Sequence, residues 1–366
     1  MDAVERKDMN TQIFATMGPA CGTENTIKEM IAAGMTGMRL NLSHTTLPAS
    51  KAYIEAYHNA AVSSGVKPQI LIDMQGPELR VGDLYEPVEL EKNATIRFYS
   101  REEEFVPETE GPETVIPVPL PVLQALVMGD EVLLDDGKIL VKAVSEEYIG
   151  VSIGERKDSG QGEELVKVCV DLQVLRRGVL RPHKSIKIVD KDVKMPVLTN
   201  HDIANIKLTK EYGVTALMQP FVRSGEDLRK VRQVLAENDA EDLKIFAKIE
   251  NRTGVANMDS IIPEADVIVI ARGDLGNDMP LWELPKVQKD IEAACKKYNK
   301  PYIVVTQMLA SMEHSPVPTR AEVSDIFHAV YHGAWGVMVT GETAVGEYPV
   351  EVIKYLANTA ESCEQG

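Results

Sequence analysis

Along much of the chain, short apolar runs rich in β-branched residues alternate with stretches of helical spacing. Between residues 11 and 73 the order is an apolar run at 13–16, a helix over 27–33, a run at 37–40, a helix over 49–63 and a run at 69–72. The alternation resumes after residue 195, with runs near 216–218, 244–248, 267–270, 302–305 and 336–339 and helical stretches between and after them. Short continuous apolar runs of this kind predict strands buried on both faces. Three strands and then five, each followed by a helix or by an insertion, predict an α/β fold of the TIM (β/α)8 barrel type.

Residues 80–177 interrupt this with a different grammar. Short strands are expected at 88–90, 94–98, 132–134, 139–144, 149–153 and 166–170, separated by Gly, Pro and acidic turns. Asp136-Gly137 is a strong hairpin signal. The chain therefore divides, on sequence, into a barrel from 1–79 and 178–366 and an inserted small all-β domain, β-barrel-like, over 80–177. An insertion after the third barrel strand is expected to sit over the C-terminal mouth as a lid, since the chemistry of such barrels resides there. The loops at 107–121 and 158–164 carry enough Pro, Gly and charge to be mobile and show no assignable chemistry.

Charge and cysteine usage narrow the class. The 366 residues include 39 Lys plus Arg against 56 Asp plus Glu, a formal net charge of −17. That balance speaks against a nucleic-acid partner and for a soluble acidic protein, so cations serving an anionic substrate must be locally concentrated. Arg39, Arg80, Lys184 and Lys248 are the ones to judge. Cys21, Cys169, Cys295 and Cys363 are scattered, which fits a reduced cytoplasmic setting better than a disulfide framework or zinc site. The opening residues lack the apolar run of a signal peptide, and no segment reads as a membrane span.

The chemistry gathers where apolar runs stop on charge. Phe246-Ala247-Lys248-Ile249-Glu250-Asn251 and Ile268-Val269-Ile270-Ala271-Arg272-Gly273-Asp274-Leu275-Gly276 read as neighbouring parallel strands delivering polar residues at their C-terminal ends. Glu250 and Asp274 can then converge beside Lys248. Two carboxylates and a lysine at such a point suit a hard divalent cation, Mg²⁺ foremost, serving a phosphate or carboxylate substrate. A pair of strand-end salt bridges is the plainer account of the same residues.

Further segments stand in order around these: Thr11 to Ala20, Met38-Arg39-Leu40-Asn41-Leu42-Ser43-His44, Ile72-Asp73-Met74-Gln75-Gly76-Pro77-Glu78-Leu79-Arg80, Val304 to Leu309, Pro318-Thr319-Arg320-Ala321-Glu322 and Val339-Thr340-Gly341-Glu342-Thr343-Ala344. The ordered set resembles the pyruvate kinase family over nearly the whole chain. The resemblance implies phosphoryl transfer from phosphoenolpyruvate to a nucleoside diphosphate, ADP, giving pyruvate and ATP, by positioning and charge neutralisation.

By this resemblance, Lys248 and Arg39 face the transferred phosphoryl group, and Glu250 and Asp274 hold Mg²⁺ or Mn²⁺. Ala271, Arg272 and Gly273 belong to the loop that receives the substrate carboxylate. Thr306 lies near the face where the enolate is protonated, with Thr340 and Glu342 behind it. Asn41, Ser43, Asp73 and the carbonyl of Met74 match a K⁺ site, and Glu78 stands where potassium-requiring members have glutamate. For Asn41 and Ser43 alone, turn or cap chemistry is the commoner use. Pro19, His44, Arg80, Asp136 and Lys184 match nucleotide-side positions, with Lys184 in a changed context. A homodimer through the barrel domain is an assembly the resemblance allows.

The departures fall on the nucleotide side. Gln75 replaces a lysine, Thr45 a glycine and Val345 a lysine; Ala49 stands near a lost tyrosine, and Pro220 takes the place of a serine. Losing cationic and hydrogen-bonding groups should weaken nucleotide binding or change the acceptor. Most members also carry a further C-terminal α/β effector domain, and the chain ends at Gly366, so effector regulation of that kind is not expected. Three readings compete: a short pyruvate kinase, a Mg²⁺-dependent enolate enzyme such as an aldolase or decarboxylase of a pyruvate-like acid, and a non-catalytic paralogue. Retention of Lys248 and Arg39 favours the first.

Overall fold

The computed structural model describes residues 11–43, 45–77, 79–100, 112–135, 137–152, 163–189, 191, 193 and 195–365. They fall into two compact units, one of residues 1–77 and 197–366, the other of 78–196.

The first unit is a closed barrel of eight parallel strands: Gln12–Thr16, Gly37–Asn41, Ile70–Asp73, Ala216–Gln219, Lys244–Ile249, Val267–Ala271, Tyr302–Val305 and Gly336–Val339. Each pairs with its predecessor and successor in the chain, and the first closes the ring on the eighth. Helices follow the strands, among them Glu24–Ala33, Lys51–Ser63, Gly225–Ala236, Leu284–Lys297, Arg320–Tyr331 and Pro349–Glu364. Because side chains alternate along a strand, each strand serves two cores. Phe14, Leu71, Met218, Phe246, Val269, Ile303 and Met338 fill the barrel, backed by Trp335. Their neighbours Ile13, Ile70, Leu217, Ile245, Ile268 and Val304 pack outward into the helix layer. Val267–Ala271 is buried at every position, which is why it reads as an unbroken apolar run.

The second unit has its own core, including Ile96, Phe98, Val132, Val141, Val170 and Leu172. Its six-stranded sheet runs, in spatial order, Ile186–Ile188, Glu131–Leu134, Ile139–Ser152, Glu163–Arg176, Thr95–Tyr99 and Val115–Pro117; Val88–Leu90 pairs separately with Gly178–Leu180. Among the described residues this is an open sheet with a two-stranded companion and a short helix, Leu120–Ala125, rather than one closed all-β barrel. The expected end at residue 177 also moves. Gly178–Leu180 and Ile186–Ile188 pair with strands of the inserted unit, carrying it to Pro196.

The strands expected at 139–144 and 149–153 form one, Ile139–Ser152, because register irregularities around Ala143 to Tyr148 absorb the polar Ser145-Glu146-Glu147. Gly137 has φ +79° in the turn between Glu131–Leu134 and Ile139–Ser152. His44, Glu78 and Asp136 lie outside the described residues.

Candidate active site

The inward-facing parity of the barrel strands is what builds the site. Phe14, Leu71 and Phe246 belong to the interior core, so the inward positions two residues on are Thr16, Asp73 and Lys248, with Glu250 following Lys248. Arg39 pairs in register with Thr16 on one side and Leu71 on the other. Five polar side chains are thereby delivered to the C-terminal mouth by four strands.

Their contacts centre on Asp73, which is 3% exposed. Arg39 donates to its Oδ2 from Nε at 3.0 Å and from Nη2 at 2.6 Å, and donates through Nη1 to Thr16 Oγ1 at 3.0 Å. The Thr16 hydroxyl in turn donates to the Val339 carbonyl at 2.9 Å, tying in the eighth strand. Lys248 Nζ lies 3.5 Å from Asp73 Oδ1 and 3.3 Å from Glu250 Oε2. The other Glu250 oxygen accepts from the Phe221 amide at 2.9 Å. Phe221 holds φ +53°, a conformation that costs a non-glycine residue about 1–3 kcal/mol and persists only where its surroundings fix it.

Electrostatics separate these groups. Burial foremost, and then the charge of Asp274, push the Glu250 carboxyl up to about 8 against the opposing pull of Lys248. Burial alone would depress the Lys248 ammonium, but Asp73, Glu250 and Asp274 outweigh it and raise it above its ordinary value. Lys248 is thus held charged beside a carboxyl, that of Glu250, which desolvation disfavours as an anion.

Asp274 sits in the first turn of helix Arg272–Asp278, and its charge bears on both Lys248 and Glu250. Among the described residues no group of three or more His, Cys, Asp or Glu is arranged to hold a metal. The donor chemistry at Glu250 and Asp274 nevertheless fits a hard cation that keeps water or substrate oxygens in its remaining positions. Glu250 Oε2 is a buried oxygen that accepts no hydrogen bond, as is Asp73 Oδ1. For K⁺ the fit is narrower, because both Asp73 oxygens face cations. Asn41 Oδ1 accepts from the Ser43 amide at 3.2 Å, and Met74 is buried with its amide on the Met218 carbonyl.

The seventh strand ends differently. Its parity would send Thr306 outward with Val304, but Thr306 and Gln307 adopt φ +69° and +54°, and the Thr306 hydroxyl comes against the sixth-strand loop. Its Oγ1 accepts from the Gly273 amide at 2.8 Å and donates to the Val305 carbonyl at 2.6 Å. A β-branched residue at positive φ is a true backbone outlier. The Arg272 side chain lies on the Thr306 and Gln307 carbonyls and on Asp325. Thr340 and Glu342 are adjacent: Glu342 Oε2 accepts from the Thr340 amide at 2.7 Å and its hydroxyl at 3.4 Å, while Oε1 accepts from the Leu309 amide at 3.3 Å.

The nucleotide-side candidates divide between the units. In the barrel unit, Pro19 is exposed in the turn after the first strand, and Val345 is exposed. Gln75 is engaged rather than idle: Nε2 donates to the Ser43 carbonyl at 3.4 Å and Oε1 accepts from Thr199 Oγ1 at 3.3 Å. In the inserted unit, Lys184 Nζ pairs with Asp135 at 3.0 Å and Arg80 donates to the His183 carbonyl at 2.6 Å. Thr16 and Asp325 join the site without having been among the candidates the sequence offers. The first was legible from its period-two spacing to Phe14; nothing in the sequence connects Asp325 to Arg272.

The family model described as the pyruvate kinase barrel domain matches residues 8–353. A pyruvate kinase of Thermococcus litoralis is 36% identical over 364 residues, covering 99% of this chain and 71% of the relative. Those of Geobacillus stearothermophilus and Chlamydia pneumoniae are 35% and 34% identical, each covering 97% of this chain and 57% and 69% of the relative, respectively. The chain thus spans 57% to 71% of the length of these relatives. An eight-stranded parallel barrel, a match over nearly its whole length and a mouth lined by Arg39, Asp73, Lys248 and Glu250 lead to one assignment: the chain belongs to the pyruvate kinase family.

Proposed function

We propose that the protein transfers the phosphoryl group of phosphoenolpyruvate to a nucleoside diphosphate, leaving pyruvate. The observation that carries this reading is the convergence of Arg39 and Lys248 on opposite oxygens of the buried Asp73. Two fixed cations beside one another match the charge of a phosphoryl group in flight, where catalysis is positioning and electrostatics. Asp73 holds both in place. In the step itself, the bond from phosphorus to the enolate oxygen breaks, a bond from phosphorus to the acceptor's terminal phosphate oxygen forms, and the enolate carbon then takes a proton.

Glu250 and Asp274 would hold Mg²⁺ or Mn²⁺. Such an ion supplies Lewis-acid stabilisation of negative charge when bound. Asn41, Ser43, Asp73 and the Met74 carbonyl would hold K⁺, with Asp73 shared between that ion and the two side-chain cations. Gly273 and its neighbours Ala271 and Arg272 would meet the substrate carboxylate through their backbone, with Thr306 beside them. The Gly273 amide is engaged by the Thr306 hydroxyl, so receiving a carboxylate there requires that bond to be exchanged. Thr340 and Glu342 would form the polar shell behind Thr306. Pro19, His44, Arg80, Asp136 and Lys184 would serve the nucleotide.

A coupled assay with phosphoenolpyruvate, Mg²⁺, K⁺ and a panel of ADP, GDP and UDP tests the proposal. Turnover with at least one diphosphate is the expected result. No turnover with any of them, together with aldol or decarboxylation activity on pyruvate, would overturn it. The engaged Gln75 amide, standing where a cation is expected, makes the panel broader than ADP alone.

A further inference from the structure

We propose that Arg272, anchored by Asp325, is a positioning residue that holds Thr306 in its left-handed conformation and so places the Thr306 hydroxyl in the site. This rests on the phosphoryl-transfer reading above and assigns to the Arg272 side chain a task separate from the backbone of its loop.

The side chain reaches across from the end of the sixth strand to the end of the seventh. Nη2 donates to the Thr306 carbonyl at 2.8 Å and, at the longer distance of 3.4 Å, to the Gln307 carbonyl; it also lies 3.0 Å from Met308 Sδ. Nη1 donates to Asp325 Oδ2 at 2.6 Å, on helix Arg320–Tyr331. The guanidinium is nearly buried, its side chain 10% exposed. It therefore grips the carbonyls of the two consecutive residues with positive φ, and a threonine reverts from such a conformation unless its surroundings fix it.

The consequence falls on the hydroxyl. Thr306 Oγ1 takes the amide of Gly273, the residue immediately after Arg272, so side chain and backbone of the 272–273 pair grasp Thr306 from two sides. Further along the same loop, Ser311 is held by Glu322 through its amide and hydroxyl, and the Leu309 amide by Glu342. Those contacts fix the loop beyond Thr306; among the described residues Arg272 is the charged side chain bonded at the turn itself. Its guanidinium fork can serve Asp325 and a carbonyl together, whereas a lysine presents a point charge.

The test compares Arg272→Met, Arg272→Lys and Asp325→Asn in the wild-type and Thr306→Ala backgrounds. Displacing a group by about 1 Å can cost on the order of a hundredfold, so Arg272→Met is expected to lower kcat by roughly ten- to a hundredfold while the KM for phosphoenolpyruvate stays within about threefold. Arg272→Lys should recover part of the loss, and Asp325→Asn should show a smaller loss in the same direction. The deciding readout is coupling: in the Thr306→Ala background, Arg272→Met should cost little more, since residues acting through one another are non-additive. Should Arg272→Met fail to fold, Asp325→Asn at its partly exposed site carries the same cycle.

Hydrogen exchange by mass spectrometry on substrate-free protein gives a readout independent of turnover, with faster exchange at Gly273 expected in Arg272→Met. An inactive wild type with that acceleration would sink the phosphoryl-transfer reading and leave the positioning of Thr306 standing. Equal losses in the two backgrounds, or unchanged exchange at Gly273, would overturn the inference.

Discussion

Asp73 and Glu250 flank Lys248, and replacing the ammonium shows what each carboxylate needs. Lys248→Met should lower phosphoryl transfer by about a hundredfold or more, the scale on which a preorganised charge acts on a developing one, with the loss read in kcat under saturating substrate. Enolate proton exchange on pyruvate should survive in larger measure. Equal loss of both activities would show that Lys248 positions the enolate rather than neutralising phosphate.

Glu250 also gives the metal-free protein a pH signature. Its carboxyl is raised to about 8, above an unfolded value of about 4.3, so between these limits the native state binds more protons than the unfolded chain. Its contribution is fully present below about pH 4 and is lost as pH rises through about 8. Urea denaturation of metal-free protein should therefore show stability falling from pH 6 to pH 9, with Glu250→Gln flattening the decline. A decline unchanged in that variant would place the proton elsewhere. Lys248 and Glu250 were legible in the sequence because they end an apolar strand at period two. The grip of Arg272 on Thr306 was not, since it depends on a left-handed turn that breaks the parity of the seventh strand.

Among the elements, helix Arg320–Tyr331 does more than cover the barrel. Thr319 and Glu322 form a reciprocal capping box at its start, and the same Glu322 accepts from the Ser311 amide at 2.8 Å and hydroxyl at 2.6 Å. One carboxylate thus closes a helix end and pins the loop after the seventh strand; its hydrogen bonds draw it below its usual range although burial opposes them. Thr319→Ala should cost about 1 kcal/mol by chemical denaturation. Glu322→Ala should cost more, because it frees Ser311 as well. Equal costs would mean that the Ser311 contacts contribute nothing to stability.

The barrel strands were readable from sequence for a related reason: a strand covered on both faces leaves an unbroken apolar signature, as Val267–Ala271 does. In the inserted unit that signature fails. Ile139–Ser152 carries Ser145, Glu146 and Glu147 through irregular register, and elsewhere in the unit Gly178–Leu180 and Ile186–Ile188 are only three residues each. Short strands leave too few alternations for a period to register.

For the whole molecule, the separation of the hydrophobic cores sets how it should unfold. The barrel interior and its helix layer draw on residues within 13–74 and 206–360, whereas the inserted unit's cluster draws on 81–188. Among the described residues no buried residue is shared between these clusters, so each unit has its own source of cooperativity. The proposed metal ligands Glu250 and Asp274, together with Arg39 and Lys248, all belong to the barrel unit. A ligand that binds only the folded barrel stabilises it by mass action, by about 2.7 kcal/mol at a hundred times its dissociation constant. Scanning calorimetry should accordingly resolve two transitions, with Mn²⁺ and a non-reactive pyruvate analogue such as oxalate raising the barrel transition more than the other. Hydrogen exchange would assign each transition to its residues. A single transition that shifts as one would show the two cores to be thermodynamically joined, and a shift confined to the inserted unit would remove the metal from Glu250 and Asp274.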